Sequence, residues 1–453
     1  MAFDNRDSID FGKDRIPKLF SNLFIPTLLG MIADVAFILT DGIFVGHGVG
    51  QEGLASVNLV CPAMMLITAI GVMFGSGCSV VAAIHLAKEN VKAARINMTQ
   101  AFAASLALSL VLVAIFYSAP GKVLGLLGVS EELMAFAKEY FFWFIPTCVF
   151  IMVQIVGSFV IRLDGSPKYS MLATVVPSVI NIVLDYVFIF ICGWGLKGAA
   201  IATDIGTGVG MLMTFVYIFF LSNTLKVYKL KHTVTSLRLG LRNVGYMIKV
   251  GFPGFIGEFA TSVMILAGNL AFGKYLSDSG IAAFSVICYL FPVVLNVYYA
   301  ISSAAQPIIS FNYGAGSVSR VRSTLRLSLV FSAAFALLAL GVFCFFPASI
   351  ISVFLESGSK TFGLASTGLP LFALAFLPMG VNLSIIGYFQ SVERSVVAVI
   401  LTLLRGFVLV VLSFLLMPKM AGVTGLWLAV PVSETITAIL SIVLLLHSFA
   451  RSH

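Results

Sequence analysis

Apolar stretches alternate with short polar ones along the whole chain. They fall at about 19–45, 54–86, 96–118, 136–161, 169–192, 198–221, 251–273, 281–311, 324–346, 364–390, 396–417 and 423–447. A helix needs about 20 apolar residues to cross a bilayer, and each stretch is long enough. The pattern predicts an all-α polytopic membrane protein with twelve transmembrane helices. Stretches 54–86 and 281–311 exceed one crossing, which predicts tilt or turns beyond the membrane. Pro26 lies one turn inside the first helix, where it removes a backbone hydrogen bond and predicts a bend.

The two halves repeat each other. Pro26 recurs as Pro253, Gly46 as Gly273, Cys61 as Cys288, Arg95 as Arg322, Gly195 as Gly422 and Gly198 as Gly425. At a slightly longer offset Pro62 recurs as Pro292 and Gly157 as Gly387. Each repeat holds six spans, so both run the same way across the membrane. That predicts two pseudo-symmetric six-helix bundles with a cleft between them. The expected division is an N-lobe over 1–221, a basic linker over 222–250 and a C-lobe over 251–453.

Charge supports the same count. Lys122, Lys138, Lys197, Lys274, Lys360 and Lys419 fall on one side of the predicted membrane, and Arg405 falls inside a span. The remaining Lys and Arg residues gather on the other side, loop by loop. Basic loops mark the cytoplasmic face, so both termini are expected there. The linker is the most basic stretch and is expected on the cytoplasmic surface, partly as an interfacial helix. The chain is 60% hydrophobic and 10% charged, which excludes a soluble domain. Its basic residues are spread over short loops, which argues against nucleic-acid binding. Its six cysteines lie in apolar stretches without a CxxC pair, and read as helix-packing residues without metal or disulfide. No cleavage pattern follows the polar N-terminus, so the first helix is expected to be retained.

The informative residues are the polar ones inside spans. Asp34 and Asp41 are seven residues apart, which sets them on one helix face about 10 Å apart along the axis. An Asp at the centre of a membrane helix costs about 2.5–3.5 kcal/mol, and nothing basic in the segment offsets it. Both are expected to face a water-filled cavity; for Asp41 the plainer alternative is a wet position near the interface. Asn181 and Asp185 are four apart and share a face. Thr203 and Asp204 begin the next span, where the plainer readings are a hydroxyl bonded to its own helix and an interfacial carboxylate. Asp34, Asp41, Asp185 and Asp204 thus make a carboxylate cluster with no base in its spans. A carboxylate drawn out of water beside another holds a proton more readily, and a bound cation favours the ionised form. Protons and cations therefore compete at such a site. Asp41, Asp185, Asn181 and Thr203 also supply oxygens that suit sodium, and the residues leave the two ions open.

The second half is poorer in acids. Glu258 lies early in its first span and Glu434 in its last, with Arg405 between. Glu434 and Arg405 can pair across neighbouring helices, whereas Glu258 is expected in a cavity. Gln306, Asn312 and Gln390 can line a polar path. Tyr299, with Tyr298 and Tyr289, belongs to an aromatic group that suits flat organic cations. The glycines around His47 lack a preceding strand and a following Lys-Ser/Thr, so they form a turn and not a phosphate loop. Gly206 and Gly210 read as helix-packing positions. No nucleotide motif and no nucleophile–base constellation is present.

Several of these residues form a familiar pattern. Asp41-Gly42-Ile43-Phe44-Val45-Gly46, followed by Gly53-Leu54-Ala55-Ser56-Val57-Asn58-Leu59, resembles the first-loop signature of the multidrug and toxic compound extrusion (MATE) family. Gln306 to Ala315 and Gly254 to Glu258 resemble its MepA-like bacterial branch. Asn181 to Asp185 and Gly198 to Thr203 are similar to further family patterns. The resemblance covers essentially the whole chain. It implies a two-lobed exporter of organic cations driven by a proton or sodium gradient. It also implies that Asp41 and Asp185, with Asn181 and Thr203, form the cation site of the N-lobe. Other branches carry an acid where this chain has Thr261, which puts a C-lobe coupling site in question. Asp34 and Asp204 depart from the pattern.

The expectation is therefore a secondary transporter and not an enzyme. It has no cofactor and is driven by a proton or sodium gradient. It would sit in the bacterial inner membrane, multi-pass and monomeric, with small organic cations and the lipid bilayer as partners and neither nucleic acid nor nucleotide. One rival is a flippase of the same superfold for a lipid-linked anionic precursor; it would want Arg or Lys facing the cleft, and only Arg405 is available. A second is a membrane receptor or sensor, against which the repeat symmetry argues.

Overall fold

The computed structural model describes residues 9–127, 129–230, 233–355 and 358–450. The outermost terminal residues and Lys231 of the linker, all expected on the cytoplasmic side, lie outside them. Among the described residues the chain is helical, with no strand. Eight helices are long and apolar enough to cross a membrane, and two bent pairs add two crossings. Two of the eight are double. The helix α9, Val234–Gly314, runs 81 residues. Unbroken, it would extend about 120 Å against a hydrocarbon core of about 30 Å. Its backbone breaks at Ser277 (φ 56°, ψ −152°). Likewise α15, Leu409–Ala450, breaks at Ala421 and Gly422. Each break divides one long helix into two crossings, which brings the total to twelve.

The chain forms two compact units. One ends at Phe255 and regains Ser310–Gly316; the other comprises Ile256–Ile309 and the chain from Ser317. The first holds α1 (Ile16–Gly48), α2 (Gln51–Ala87), α3 (Val91–Ser118), the short α4 (Pro120–Leu126), α5 (Met134–Phe144), α6 (Thr147–Leu163), α7 (Pro167–Tyr186) and α8 (Gly195–Val216). The helix α1 runs unbroken through Pro26. One span is built from α5 and α6, bent by 49° at Pro146, which has no N–H to continue the ladder. Both α7 and α8 end in a π-helical turn, Val187–Ile191 and Tyr217–Leu221. The second unit holds most of α9, then α10 (Val318–Phe345), α11 (Pro347–Ile351), α12 (Lys360–Ala373), α13 (Phe376–Ser391), α14 (Ser395–Leu403), a π-helical turn over Leu404–Val408, and α15.

Large apolar side chains such as Ile38, Leu110, Val183, Leu338 and Leu446 are exposed. In water such a surface would drive association; in lipid it meets its own solvent. Packing within the spans relies on small residues, as expected where lipid removes the hydrophobic drive between helices. The Ser332 and Ser384 hydroxyls meet at 3.0 Å between α10 and α13. The closest approach in the first unit is between α2 and the start of α9. A Cβ on Gly251 would stand 1.8 Å from the Met73 carbonyl oxygen, and one on Gly77 would stand 2.0 Å from that of Met247. Only hydrogen fits at either position.

The described residues of 222–250, read as a linker, belong to the first unit. Asp164 anchors their start. Its carboxylate accepts from the Tyr217 hydroxyl (2.8 Å), the Ser222 hydroxyl (3.1 Å) and the backbone N–H groups of Asn223, Thr224 and Leu225 (2.8–3.1 Å). Arg95 Nε donates to the Thr224 carbonyl at 2.7 Å, and Tyr228 N–H donates to Thr99 Oγ1 at 2.9 Å. From Val234 onward this stretch is the first part of α9.

Gly251→Ala is expected to destabilise the protein by about 1–3 kcal/mol, the usual cost of overpacking, because backbone on the facing helix must move. Thermal unfolding in detergent checks this against Gly245→Ala, where a Cβ meets nothing within 4 Å. Equal melting temperatures for the two variants would remove the close crossing as a constraint.

Candidate functional site

In the first unit, α7 brings Asn181 and Asp185 inward, four residues apart on one face, and both are buried. Gly206 sets α8 flush against them: a Cβ there would stand 3.0 Å from Asn181 Cβ and 3.0 Å from the Pro177 carbonyl oxygen. One turn earlier on α8, Thr203 is therefore in reach. Its Oγ1 accepts from Asn181 Nδ2 at 3.3 Å and donates to its own helix at Ala199 O, at 3.1 Å. The hydroxyl thus serves both its own helix and the facing amide.

Asp41 arrives from α1. Its carboxyl and that of Asp185 adjoin, within reach of a shared proton. Neither oxygen of Asp185 has a donor, nor has Oδ1 of Asp41 or Oδ1 of Asn181. Four buried oxygens from three side chains thus lack a partner in one place. A buried polar atom without a partner costs about 1–3 kcal/mol, and more when charged. The donor set is hard oxygen throughout, which suits a proton or sodium and not a soft metal.

Asp34 lies two turns before Asp41 on α1. Its side chain is exposed, and Oδ1 accepts from the Ser178 hydroxyl of α7 at a long 3.5 Å. Asp204 is half-buried and accepts from the Thr147 hydroxyl at the start of α6, beside the α5–α6 bend. Sequence reasoning missed Tyr140, Cys61 and Thr147. Tyr140, buried on α5, lies in the electrostatic field of Asp41, Asp185 and Asp204 and of the Cys61 thiol on α2. In a chain with 13 Tyr and 40 Phe, one more aromatic in a span carries no signal. The Thr147 position, next to a proline inside a span, was the available clue.

The second unit holds a different polar centre. Arg405 Nε donates to Glu434 Oε1 at 2.7 Å, with both side chains buried. Asn382 Nδ2 donates to the Glu434 carbonyl at 2.9 Å and to Oε2 at 2.8 Å, and Ser441 donates to Asn382 Oδ1 at 3.1 Å. The π-helical turn that carries Arg405 presses against α9: a Cβ on Gly406 would stand 2.4 Å from Ala260 Cβ. On α9, the Tyr299 hydroxyl donates to Gly257 O at 3.4 Å and is within reach of the Arg405 guanidinium. Glu258 is half-buried, and its carboxylate lies in electrostatic reach of the Tyr299 hydroxyl. Glu258, Tyr299, Arg405 and Glu434 are therefore one neighbourhood. Gln306 and Gln390 are buried in the same unit. Asn312 belongs to the first unit: fully buried, it donates to the Phe11 carbonyl at 3.0 Å and fastens the N-terminal stretch.

The family model described as MatE matches residues 26–187 and 253–415. Among curated relatives, an FAD transporter of Shewanella oneidensis is 24% identical over 94% of this chain and 93% of its own. The multidrug export protein MepA of Staphylococcus haemolyticus is 23% identical over 95% and 93%. A solved outward-facing multidrug resistance MATE transporter of the MOP superfamily superposes with a TM-score of 0.88 at 21% identity, covering 98% of this chain and 97% of that one. A MOP superfamily transporter from Pyrococcus furiosus, whose binding pocket is described as of reverse polarity, superposes at 0.87 with 22% identity and 96% of both chains covered. These structural likenesses establish the shared fold.

Removing one partner of the ion pair should cost far more than removing both. Arg405→Met is expected to destabilise by about 3–5 kcal/mol, and adding Glu434→Leu should recover most of the loss. Unfolding of the two single variants and the double variant in detergent checks this. Additive losses would show that the two charges do not depend on each other.

Proposed function

This chain belongs to the multidrug and toxic compound extrusion family, and we propose that it exports amphipathic organic cations in exchange for protons or sodium, by alternating access between two six-helix lobes. That it is a drug efflux transporter of a multi-pass kind follows from the family. The coupling, the residues and the direction go beyond the family. Both termini are proposed to be cytoplasmic, the membrane to be the bacterial inner membrane, and the working unit a monomer. The lobes are proposed at 1–221 and 251–453, joined by 222–250.

One observation carries the reading: the partnerless oxygens of Asp41, Asp185 and Asn181 in a buried, base-free site. A proton held between the two carboxyls satisfies one oxygen of each. A sodium ion satisfies several at once, with the Thr203 hydroxyl completing the set. Either ion neutralises charge that the apolar surroundings penalise. Loss of that ion leaves a state that an organic cation or a change of conformation can relieve, which is the basis of exchange. Asp34, accessible on the same helix, and Asp204, held by Thr147, are proposed as further groups on the ion's way in or out. Glu258 and Tyr299 are proposed to meet substrate, with the Arg405–Glu434 pair fixing their surroundings. Gln306, Asn312 and Gln390, read in sequence as path-lining, are proposed to act through packing.

A second reading is export of a flavin dinucleotide, favoured by the FAD transporter relative. It places an anionic cargo in the same fold.

Proteoliposomes loaded with a fluorescent lipophilic cation and given either a pH gradient or a sodium gradient test the proposal. Cation flux under one gradient supports it and names the coupling ion. Flux under neither, with FAD moving instead, transfers the reading to flavin export. Asp41→Asn and Asp185→Asn are each expected to express normally and to abolish drug resistance in cells. Unchanged resistance would remove that residue from the mechanism.

A further inference from the structure

We infer that Trp143 and Trp194 form a binding site for an organic ammonium at one end of the first unit, and that Lys197 occupies it as a tethered competitor. The Lys197 Nζ sits 4.6 Å from the centroid of the Trp143 ring and 6.0 Å from that of Trp194. A cation within about 6 Å of an aromatic face is attracted by the ring quadrupole, and indole attracts it best. The two rings come from separate elements. Trp143 lies near the end of α5, and Trp194 immediately precedes α8. Each is held by a neighbour: Phe188 stacks on Trp194 at 4.8 Å, and Phe142 meets Trp143 edge to face at 5.5 Å. Phe142 is fixed in turn, since its carbonyl accepts from the Tyr117 hydroxyl at 3.2 Å. The recess is thus formed by supported rings, and it already accepts an ammonium.

Exposure and position distinguish this recess from ordinary packing. Trp194 is 46% exposed and Lys197 is half-buried, so solution reaches the rings. The Lys197 ammonium is strongly hydrated and rides on a flexible stem, so it can leave for water while the indoles stay. Aromatic recesses of this kind recognise quaternary ammonium groups. Trp143 lies one turn beyond Tyr140 on α5, and Lys197 lies about 9 Å along α8 from Thr203. The recess is therefore about two turns from the carboxylate site. Tyr217, whose hydroxyl donates to Asp164, lies about 30 Å further along the same run. That distance matches the hydrocarbon thickness, so the recess and the Asp164 anchor stand at opposite faces of the membrane. The role of the recess rests on the export reading: a cation leaving the carboxylate site away from the Asp164 anchor meets these rings next and displaces Lys197. Binding itself does not depend on the coupling ion.

The test uses the full-length protein in detergent, with tryptophan isotopically labelled at the indole nitrogen, and reads the indole N–H signals by NMR. It is titrated with choline and, separately, with neohexyl alcohol, which has the shape of choline without its charge. Of the three tryptophans, Trp427 is buried in the second unit and serves as the internal reference. Choline is expected to shift the Trp143 and Trp194 signals saturably, and the alcohol to shift neither. Lys197→Met removes the competitor and should tighten choline binding about fivefold, which is what about 1 kcal/mol of cation–π contact gives. Lys197→Arg keeps a cation on the rings and should not tighten it. Loss of charge repulsion alone would also favour choline in Lys197→Met, and Trp194→Leu separates the two causes. Read at Trp143 in that background, Lys197→Met should gain nothing. An absent choline shift in both the native chain and Lys197→Met overturns the inference. So does an equal response to the alcohol, or an undiminished gain from Lys197→Met in the Trp194→Leu background. The titration needs no gradient and no flux, so it succeeds or fails separately from the export reading.

Discussion

A bilayer offers no water to a polar group, so every buried charge in a membrane protein must find its partner within the protein or in something the protein binds. The two units meet that constraint in opposite ways. In the second, Arg405 answers Glu434, Asn382 answers both the side chain and the backbone of Glu434, and Ser441 answers Asn382. Such a network is complete without a ligand, and a complete network rigidifies its surroundings. In the first unit, both oxygens of Asp185 and one of Asp41's, Oδ1, lack a donor. That centre is incomplete by itself. A group that costs free energy until something binds is a group whose state reports on binding, and exchange requires such a group.

Close helix packing holds the residues of the incomplete centre together. Gly206 lets α8 lie against α7 so closely that Thr203 reaches Asn181. Tyr140 on α5 and Thr147 at the start of α6 bring two further elements within reach of the carboxylates. Near the start of α9, the Gly77 and Gly251 approach fixes α2 against the chain that follows the Asp164 anchor. The closest of these approaches are made at Gly77, Gly206 and Gly251, because close packing supplies the helix association that the hydrophobic effect cannot supply in lipid.

Much of this was legible in the sequence. Apolar length and the alternation of basic loops give twelve spans, and the structure contains twelve once the breaks at Ser277 and Ala421–Gly422 are recognised. Those breaks have weak signals: Ser277 adopts a left-handed conformation that its type does not announce, whereas Gly422 does. Asp41, Asp185 and Asn181 stood out because a polar side chain in an apolar span is costly and so conspicuous. Their neighbours did not. Tyr140 and Cys61 belong to residue types that fill ordinary apolar cores, and only their placement makes them part of the site. Asn312 illustrates the converse, for a polar residue in a span can equally be a fastener, here for the Phe11 carbonyl. Pairing of Arg405 with Glu434 was readable as an option, since few other charges lie within the spans of that half.

The central claim is that the Asp41–Asp185 pair holds a proton or an ion that must leave when the other binds. Proton release tests it most directly. Purified protein in weakly buffered detergent solution, with a pH indicator, is titrated with sodium and separately with a lipophilic cation. The account predicts that protons are released from the native chain on binding and that none are released from Asp185→Asn. Ligand binding without release, or release undiminished in Asp185→Asn, would contradict it.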